Sequence, residues 1–209
     1  MAGTADNFVA EAVLQGKSKL YIDLGGGSGE WDGAAGVRLL LSADGSPDAT
    51  QNPNARHLGY TQEGLEWLVR PAFEGFTPDE ETDPIIFRPQ SEEKVISGGM
   101  WQMADMDLAE ALSPTALRSD VGGSKGLTFG GRQTITYTSV AAIAPLALDP
   151  TRFAVFHLYK AFNDQGLAAQ LGKTKVSNSP FAFRGLAIST RTEGDRAGRY
   201  FVTDSGAPS

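Results

Sequence analysis

The sequence predicts a mainly β protein built from antiparallel strands with one flanking α-helix. Three observations carry this. Aromatic and β-branched residues gather in runs, Thr134–Val140, Phe153–Phe162 and Phe181–Ile188, and turn signals such as Asn163-Asp-Gln-Gly166 separate them. Glycine is frequent, 25 of 209 residues, which suits a chain that turns often and needs positive φ in places. The regular strand–helix alternation that builds a parallel, doubly wound sheet is missing.

Taken in order, the first 15 residues form a short helix or an arm, with Phe8, Val9, Ala12 and Val13 spaced for one apolar face. Lys19–Leu24 reads as a strand, broken by Gly25–Gly29. A second apolar run, Val37–Leu41, precedes a loop over Ser42–Arg56 rich in Asp, Asn, Pro and Ser. His57–Gln62 and Gly64–Phe73 read as two strands around a tight turn. Pro71 has no N–H to give a ladder, so the far end of the second belongs at a sheet edge. Residues 74–94 are acidic (Asp79, Glu80, Glu81, Asp83, Glu92, Glu93), carry three prolines, and read as a long exposed loop or an extended hairpin. Asp105–Leu112 is the best internal helix: Met103, Met106, Leu108 and Leu112 supply a buried side, and Ser113-Pro114 limits it. The three strand runs follow, with a weaker stretch from Leu167 to Pro180 before the last. No fixed-period repeat and no domain boundary is visible.

Composition narrows the function. A net charge of −7 and a pI of about 4.8 disfavour a phosphate-gripping protein, because nucleic-acid affinity comes from Lys and Arg displacing counterions. An acidic wall instead repels phosphates, which suits a surface past which DNA slides. The absence of cysteine excludes disulfides, thiolate catalysis and Cys-ligated metals. Met1–Asn7 lacks the basic patch and apolar run of a secretory signal, and no apolar stretch approaches bilayer length. A soluble protein made in the cytoplasm is therefore expected.

Several motifs invite a chemical reading. Ile22-Asp-Leu-Gly-Gly-Gly-Ser-Gly29, a strand ending in Asp and then a glycine-rich turn, resembles the first motif of S-adenosylmethionine-dependent methyltransferases and a phosphate-binding turn of actin-like ATPases. The segment that follows, Glu30–Gly36, carries two glycines where a good helix is needed, and no Walker sequence exists. Gly122-Gly-Ser-Lys-Gly126 matches the nucleophile elbow, with Ser124 as nucleophile and His157 downstream. That elbow needs a strand before it and a helix after it, and neither flank reads so, which leaves a hairpin or linker loop. His57 and His157 show no metal-ligand spacing, and Asp79–Asp83 lacks the alternating oxygen pattern of a calcium loop. Arg184, Arg191, Arg196 and Arg199 form either a charged turn between the last two strands or an interface. In the second case their planar forks meet the acidic 74–94 segment of another copy, a head-to-tail contact. No catalytic, cofactor-binding or metal residue is assigned.

The order of these elements resembles the major tail tube proteins of long-tailed (siphovirus-like) bacteriophages. His57–Trp67 is similar to an early strand–turn–strand of that family, Phe73–Pro89 to its long loop, and Asp105–Leu112 to its helix. Phe153–Phe162 resembles a late core strand, and Pro180–Leu186 with Arg191–Asp195 its closing strands and turn. The resemblance implies a single β-sandwich or barrel-forming domain over 1–209, with an N-terminal arm (1–18), a long acidic loop (74–94) and a C-terminal tail (200–209). It implies hexameric rings stacked into a tube in the virion tail, assembled in the host cytoplasm. The implied partners are other copies of the chain, a tape-measure protein, and tail-tip and tail-terminator proteins. DNA passes through the lumen without specific binding. A tail tube subunit implied in this way is not an enzyme and takes no cofactor. The alternative is an S-adenosylmethionine-binding enzyme using Gly25–Gly29.

Overall fold

The computed structural model describes residues 18–25, 30–33, 38–59, 61–76, 86–100, 106–130, 133–147, 149–168 and 179–203. Ten antiparallel strands and one short helix make up its regular structure: β1 (Lys19–Ile22), β2 (Arg56–His57), β3 (Thr61–Phe76), β4 (Ile86–Met100), α1 (Met106–Leu112), β5 (Leu117–Val121), β6 (Ser124–Thr128), β7 (Thr138–Pro145), β8 (Phe153–Asn163), β9 (Ser179–Gly185) and β10 (Gly198–Val202). The expected mainly β fold with a flanking helix is what forms. Eight strands belong to one sheet in the order β2-β1-β7-β8-β9-β4-β3, with β10 added on β8, while β5 and β6 form a separate hairpin.

Strand β8 organises the sheet. One of its edges pairs with β7 from Phe153 to Ala161. Its other edge is divided, with β10 along Ala154–Leu158 and β9 along Ala161–Asn163. A register shift marks the handover: Thr138 faces Ala161 but Val140 faces Leu158, so β8 takes three steps where β7 takes two. Such a bulge bends the strand and moves later side chains to the other face. Tyr159 accordingly belongs to one core and Ala161 to the other.

The sheet is buried on both faces by strand alternation. Leu20, Ile22, Val140, Ala142, Phe156 and Leu158 turn toward Ile96, Met100, Phe181, Phe183 and Leu112. Tyr21, Ala141, Ile143, Phe153, Val155 and Tyr159 turn toward Leu24, Trp31, Leu39, Ile188 and Phe201. On the first face Trp67 of β3 stacks on Phe156 of β8 at 5.8 Å between ring centroids, so the β9-β4-β3 part folds back over the β1-β7-β8 part in a sandwich-like arrangement. Asn163 fixes this fold: its amide donates to the Leu112 and Gly166 carbonyls at 2.8 and 2.9 Å, and its oxygen accepts from the Ala182 N–H at 2.8 Å. One buried side chain thereby ties the end of α1, the turn after β8, and β9.

Several sequence expectations are corrected. His57–Gln62 and Gly64–Phe73 are not a hairpin, since β2 pairs with β1. Thr61–Phe76 is one strand, and Gly64, at φ 88°, lies where β3 takes four steps against two of β4. The positive φ that reads as a turn serves a bulge instead. The strand predicted over Thr134–Val140 begins at Thr138 and runs on through the alanines to Pro145. Small side chains fit where both faces are packed, and packing overrides their low strand propensity. The segment 74–94 is ordered hairpin through Phe76 and again from Ile86; its most acidic part, Asp79–Asp83, lies outside the described residues. The tail over 200–209 is strand β10 as far as Val202. Pro71 does sit on an edge strand, because β3 ends the sheet. Leu112 of α1 is fully buried, whereas the arm over 1–18 (save Ser18), Met103 and the Leu108 side chain lie outside the described residues.

Candidate assembly surface

The β3–β4 hairpin continues past the core as an arm. Its rungs run from Trp67↔Ile96 through Arg70↔Glu93 and Pro71↔Glu92 to Phe76↔Ile86, with one extra β4 residue between Ala72↔Ser91 and Phe73↔Pro89. Directly paired residues share a face. The face that bears Trp67 over the core continues outward through the rungs Val69↔Lys94 and Pro71↔Glu92, where Lys94 and Glu92 form an ion pair, and then as Phe73, Pro89 and Phe87. The opposite face carries Arg70 against Glu93 and Glu74 against Arg88, rungs of opposite charge, and ends in Phe76 and Ile86. Every residue from Pro71 to Phe76 and from Ile86 to Glu92 is exposed. Phe73 is 60% and Phe87 63% accessible, a large apolar outlay for two rings on one face.

The base of the arm is held from within the chain. Arg184 of β9 donates to Glu93 at 2.6 Å and to Asp164 at 2.7 Å, and the Asp164 bond raises its pKa. One pair between the Arg-rich end and the acidic segment, Arg184 with Glu93, is thus made within the chain. The other arginines are also engaged internally. Arg191 donates to the Gly33 carbonyl at 2.8 Å, lies 4.1 Å over the Tyr159 ring, and bonds Asp195. Arg199 reaches Asp195 at 3.2 Å, and the Arg196 Nε–H donates to the Arg191 carbonyl at 3.3 Å. Residues 190–197 are the charged turn that leads into β10, closed by Asp195, which also accepts the Tyr159 hydroxyl at 2.5 Å.

The tempting motifs resolve in the same way. Asp23, at φ 55°, accepts from Arg56 and from the Thr138 hydroxyl (2.8 Å). The Gly25 N–H donates to Asn52 at 3.0 Å, and a Cβ there would fall 2.4 Å from the Asp32 carboxylate. Residues 26–29 lie outside the described residues. Gly122 and Gly123, both at positive φ, make the two-residue turn of the β5–β6 hairpin, and Ser124 opens β6 with no helix after it. Both flanks of this motif are strands, a reading the sequence missed for Leu117–Val121. His157 is buried between Trp31 and Tyr159, edge-on to each at 5.0 Å. Burial, reinforced by Arg191 and Arg199 and opposed by Asp195, lowers its pKa to about 3, so it is neutral. His57 stands against Tyr21 at 5.0 Å, its pKa lowered by burial and by Lys19. Among the described residues no three His, Asp or Glu side chains gather as a metal site. No helix there is long and apolar enough to cross a membrane.

A scan against protein-family models and a search of curated proteins return no match to this chain.

Proposed function

We propose that the protein is a self-assembling structural subunit of the tail tube type. Its rings, six copies each, stack into a tube in the virion tail after synthesis in the host cytoplasm. Further copies of the chain are its main partner, with a tape-measure protein inside and tip and terminator proteins at the ends. DNA later passes through a lumen that repels it. The chain binds no cofactor and performs no catalysis in this role. The observation that carries the reading is the β3–β4 arm, an ordered hairpin whose apolar face extends beyond its own core. An exposed face of that kind marks an interaction site. The net charge of −7 fits a conduit for DNA. The element order that resembles the tail tube family supplies the assembly type.

Negative-stain electron microscopy of the concentrated, purified chain tests the reading. Hollow tubes or stacked rings are expected. Dispersed single particles at every concentration, together with a thermal shift on adding S-adenosylmethionine, would replace it with the cofactor reading.

A further inference from the structure

The charges of the β3–β4 arm are ordered as a palindrome. Alternate rungs share the face turned away from Trp67. From base to tip they read Leu68↔Val95, Arg70↔Glu93, Ala72↔Ser91, Glu74↔Arg88 and Phe76↔Ile86. Both ends are apolar, the middle is small and neutral, and the signs on its two sides are reversed. Arg70, Glu74 and Arg88 are exposed, and among the described residues they close no ion pair. Glu93 gives its Oε1 to Arg184. At the tip, Phe76 and Ile86 are 58% and 48% accessible.

We propose that this face is a two-fold contact between two copies of the chain, with their arms laid antiparallel and face to face. The order of signs names the occupant. Any partner must carry the complementary series, and the same face, turned end over end, carries it. A two-fold axis across the strands at the Ala72 rung brings Arg70 onto Glu74 of the second copy and Glu93 onto Arg88, each twice. Phe76 and Ile86 then lie on Leu68 and Val95 at the other base. Ala72 and Ser91 stand on the axis, where each meets its own copy and a charge would repel itself. The rungs follow one another at two β3 residues, roughly 6.8 Å, so all the charges come into register together. A slip of one rung would set Arg70 on Phe76 and leave Glu74 on Ala72. Packed sheets lie about 10 Å apart, a gap that an Arg and a Glu span between them. Complementary charge of this kind fixes register and orientation. Parallel arms would oppose the same signs, but would bring together the two segments that join β3 to β4, each with Asp79, Glu80, Glu81 and Asp83. The contact is isologous and closes on two copies. It leaves the face of Phe73 and Phe87 open, and so goes beyond the tube reading without resting on it.

The test uses two variants of the full chain, R70E and E74R, both altered at exposed positions so that folding is preserved, which a melting curve checks. Tubes in negative stain bear on the assembly reading alone, because a contact that closes on two copies does not build them. Sedimentation velocity is expected to show the unaltered chain in equilibrium between monomer and dimer. Each variant alone sets like charges against each other twice, and is expected to dimerise at least about 10-fold more weakly. An equimolar mixture of the two is expected to regain the affinity of the unaltered chain. In the mixed pair the acid introduced at position 70 meets the base introduced at position 74, and the native Glu74 of one meets the native Arg70 of the other. A monomeric unaltered chain, undiminished dimerisation of either variant, or a mixture no tighter than the variants alone overturns the proposal. The last outcome is the one parallel arms would give, since position 70 would then face Glu93 and position 74 would face Arg88.

Discussion

His157 gives this fold a specific acid sensitivity. Its imidazole is buried between Trp31 and Tyr159, with its pKa lowered from 6.5 to about 3. The unfolded chain takes up a proton near pH 6.5 and the folded chain does not. Between about pH 6.5 and pH 3 the unfolded state therefore binds more protons, and stability falls as pH falls through that window. At pH 5 the unfolded imidazole lies about 1.5 pH units below its midpoint. At about 1.4 kcal/mol per unit, the loss from pH 7.5 to pH 5 is about 2 kcal/mol. For a chain of this size that is a fall in Tm of roughly 4–8 °C. In the variant His157→Phe an aromatic ring still fills the space but cannot titrate. Carboxylates titrate in both proteins, so the measured quantity is the difference between their pH dependences. Urea denaturation or thermal melts at pH 7.5 and 5 should show the unaltered protein losing about 2 kcal/mol more than the variant. Equal losses would mean that His157 is protonated in the fold or exchanges freely with solvent, and would refute the argument.

Three further perturbations read other parts of the structure. Asn163→Asp keeps the shape but sets a carboxylate oxygen against the Leu112 and Gly166 carbonyls where an amide now donates. A loss of at least about 3 kcal/mol in chemical denaturation is expected. In Gly198→Ala the new Cβ would lie 2.4 Å from the His157 carbonyl oxygen, so β10 must shift away from β8. Hydrogen exchange should show the β10 amides losing protection first. Replacing Pro71–Glu92 by an Asn-Gly turn closes the hairpin at the Arg70↔Glu93 rung and keeps the Glu93–Arg184 bond. This chain should melt within about 1 kcal/mol of the parent, because the described residues it removes, Pro71–Phe76 and Ile86–Glu92, are exposed, yet stay monomeric in sedimentation.

How much of this was legible in the sequence follows from what each strand packs against. Phe153–Phe162 and Phe181–Ile188 were visible because strands buried among large side chains are themselves rich in aromatic and β-branched residues. Thr138–Pro145 was misplaced because its space between two cores admits alanine, which carries little strand signal. Val37–Leu41 was visible as apolar but not as a cover. Among the described residues Arg38–Leu41 no helix or named strand forms, yet Leu39 is buried against the second core. The arm was hardest to see. Proline and acidic residues left a loop and an extended hairpin both open, and the ladder shows only when Arg70 is set opposite Glu93 and Glu74 opposite Arg88 across a one-residue bulge. The glycine motifs misled in the other direction. Three glycines at positive φ, Gly25, Gly122 and Gly123, looked like ligand-binding turns, and each answers to a local need of the backbone.

The arm also bears on why the chain tolerates an apolar hairpin in water. A long edge strand with exposed aromatics invites indiscriminate strand pairing. Three features of β3 and β4 oppose that. Pro71 interrupts the donors of β3, the bulge between Ala72↔Ser91 and Phe73↔Pro89 breaks the flatness of the ladder, and charged rungs cover one face. What remains open is the face of Phe73, Pro89 and Phe87, bounded by charge at its base where Lys94 pairs with Glu92, and the pair Phe76 and Ile86 at the end of the other face. A hairpin hindered at its edge and open on its face favours contacts through side chains over backbone augmentation. Repairing the edge with Pro71→Val should therefore leave the affinity of specific association within about 1 kcal/mol and raise non-specific aggregation. If Pro71→Val tightened the specific contact instead, the edge and not the face would be the surface that copies share.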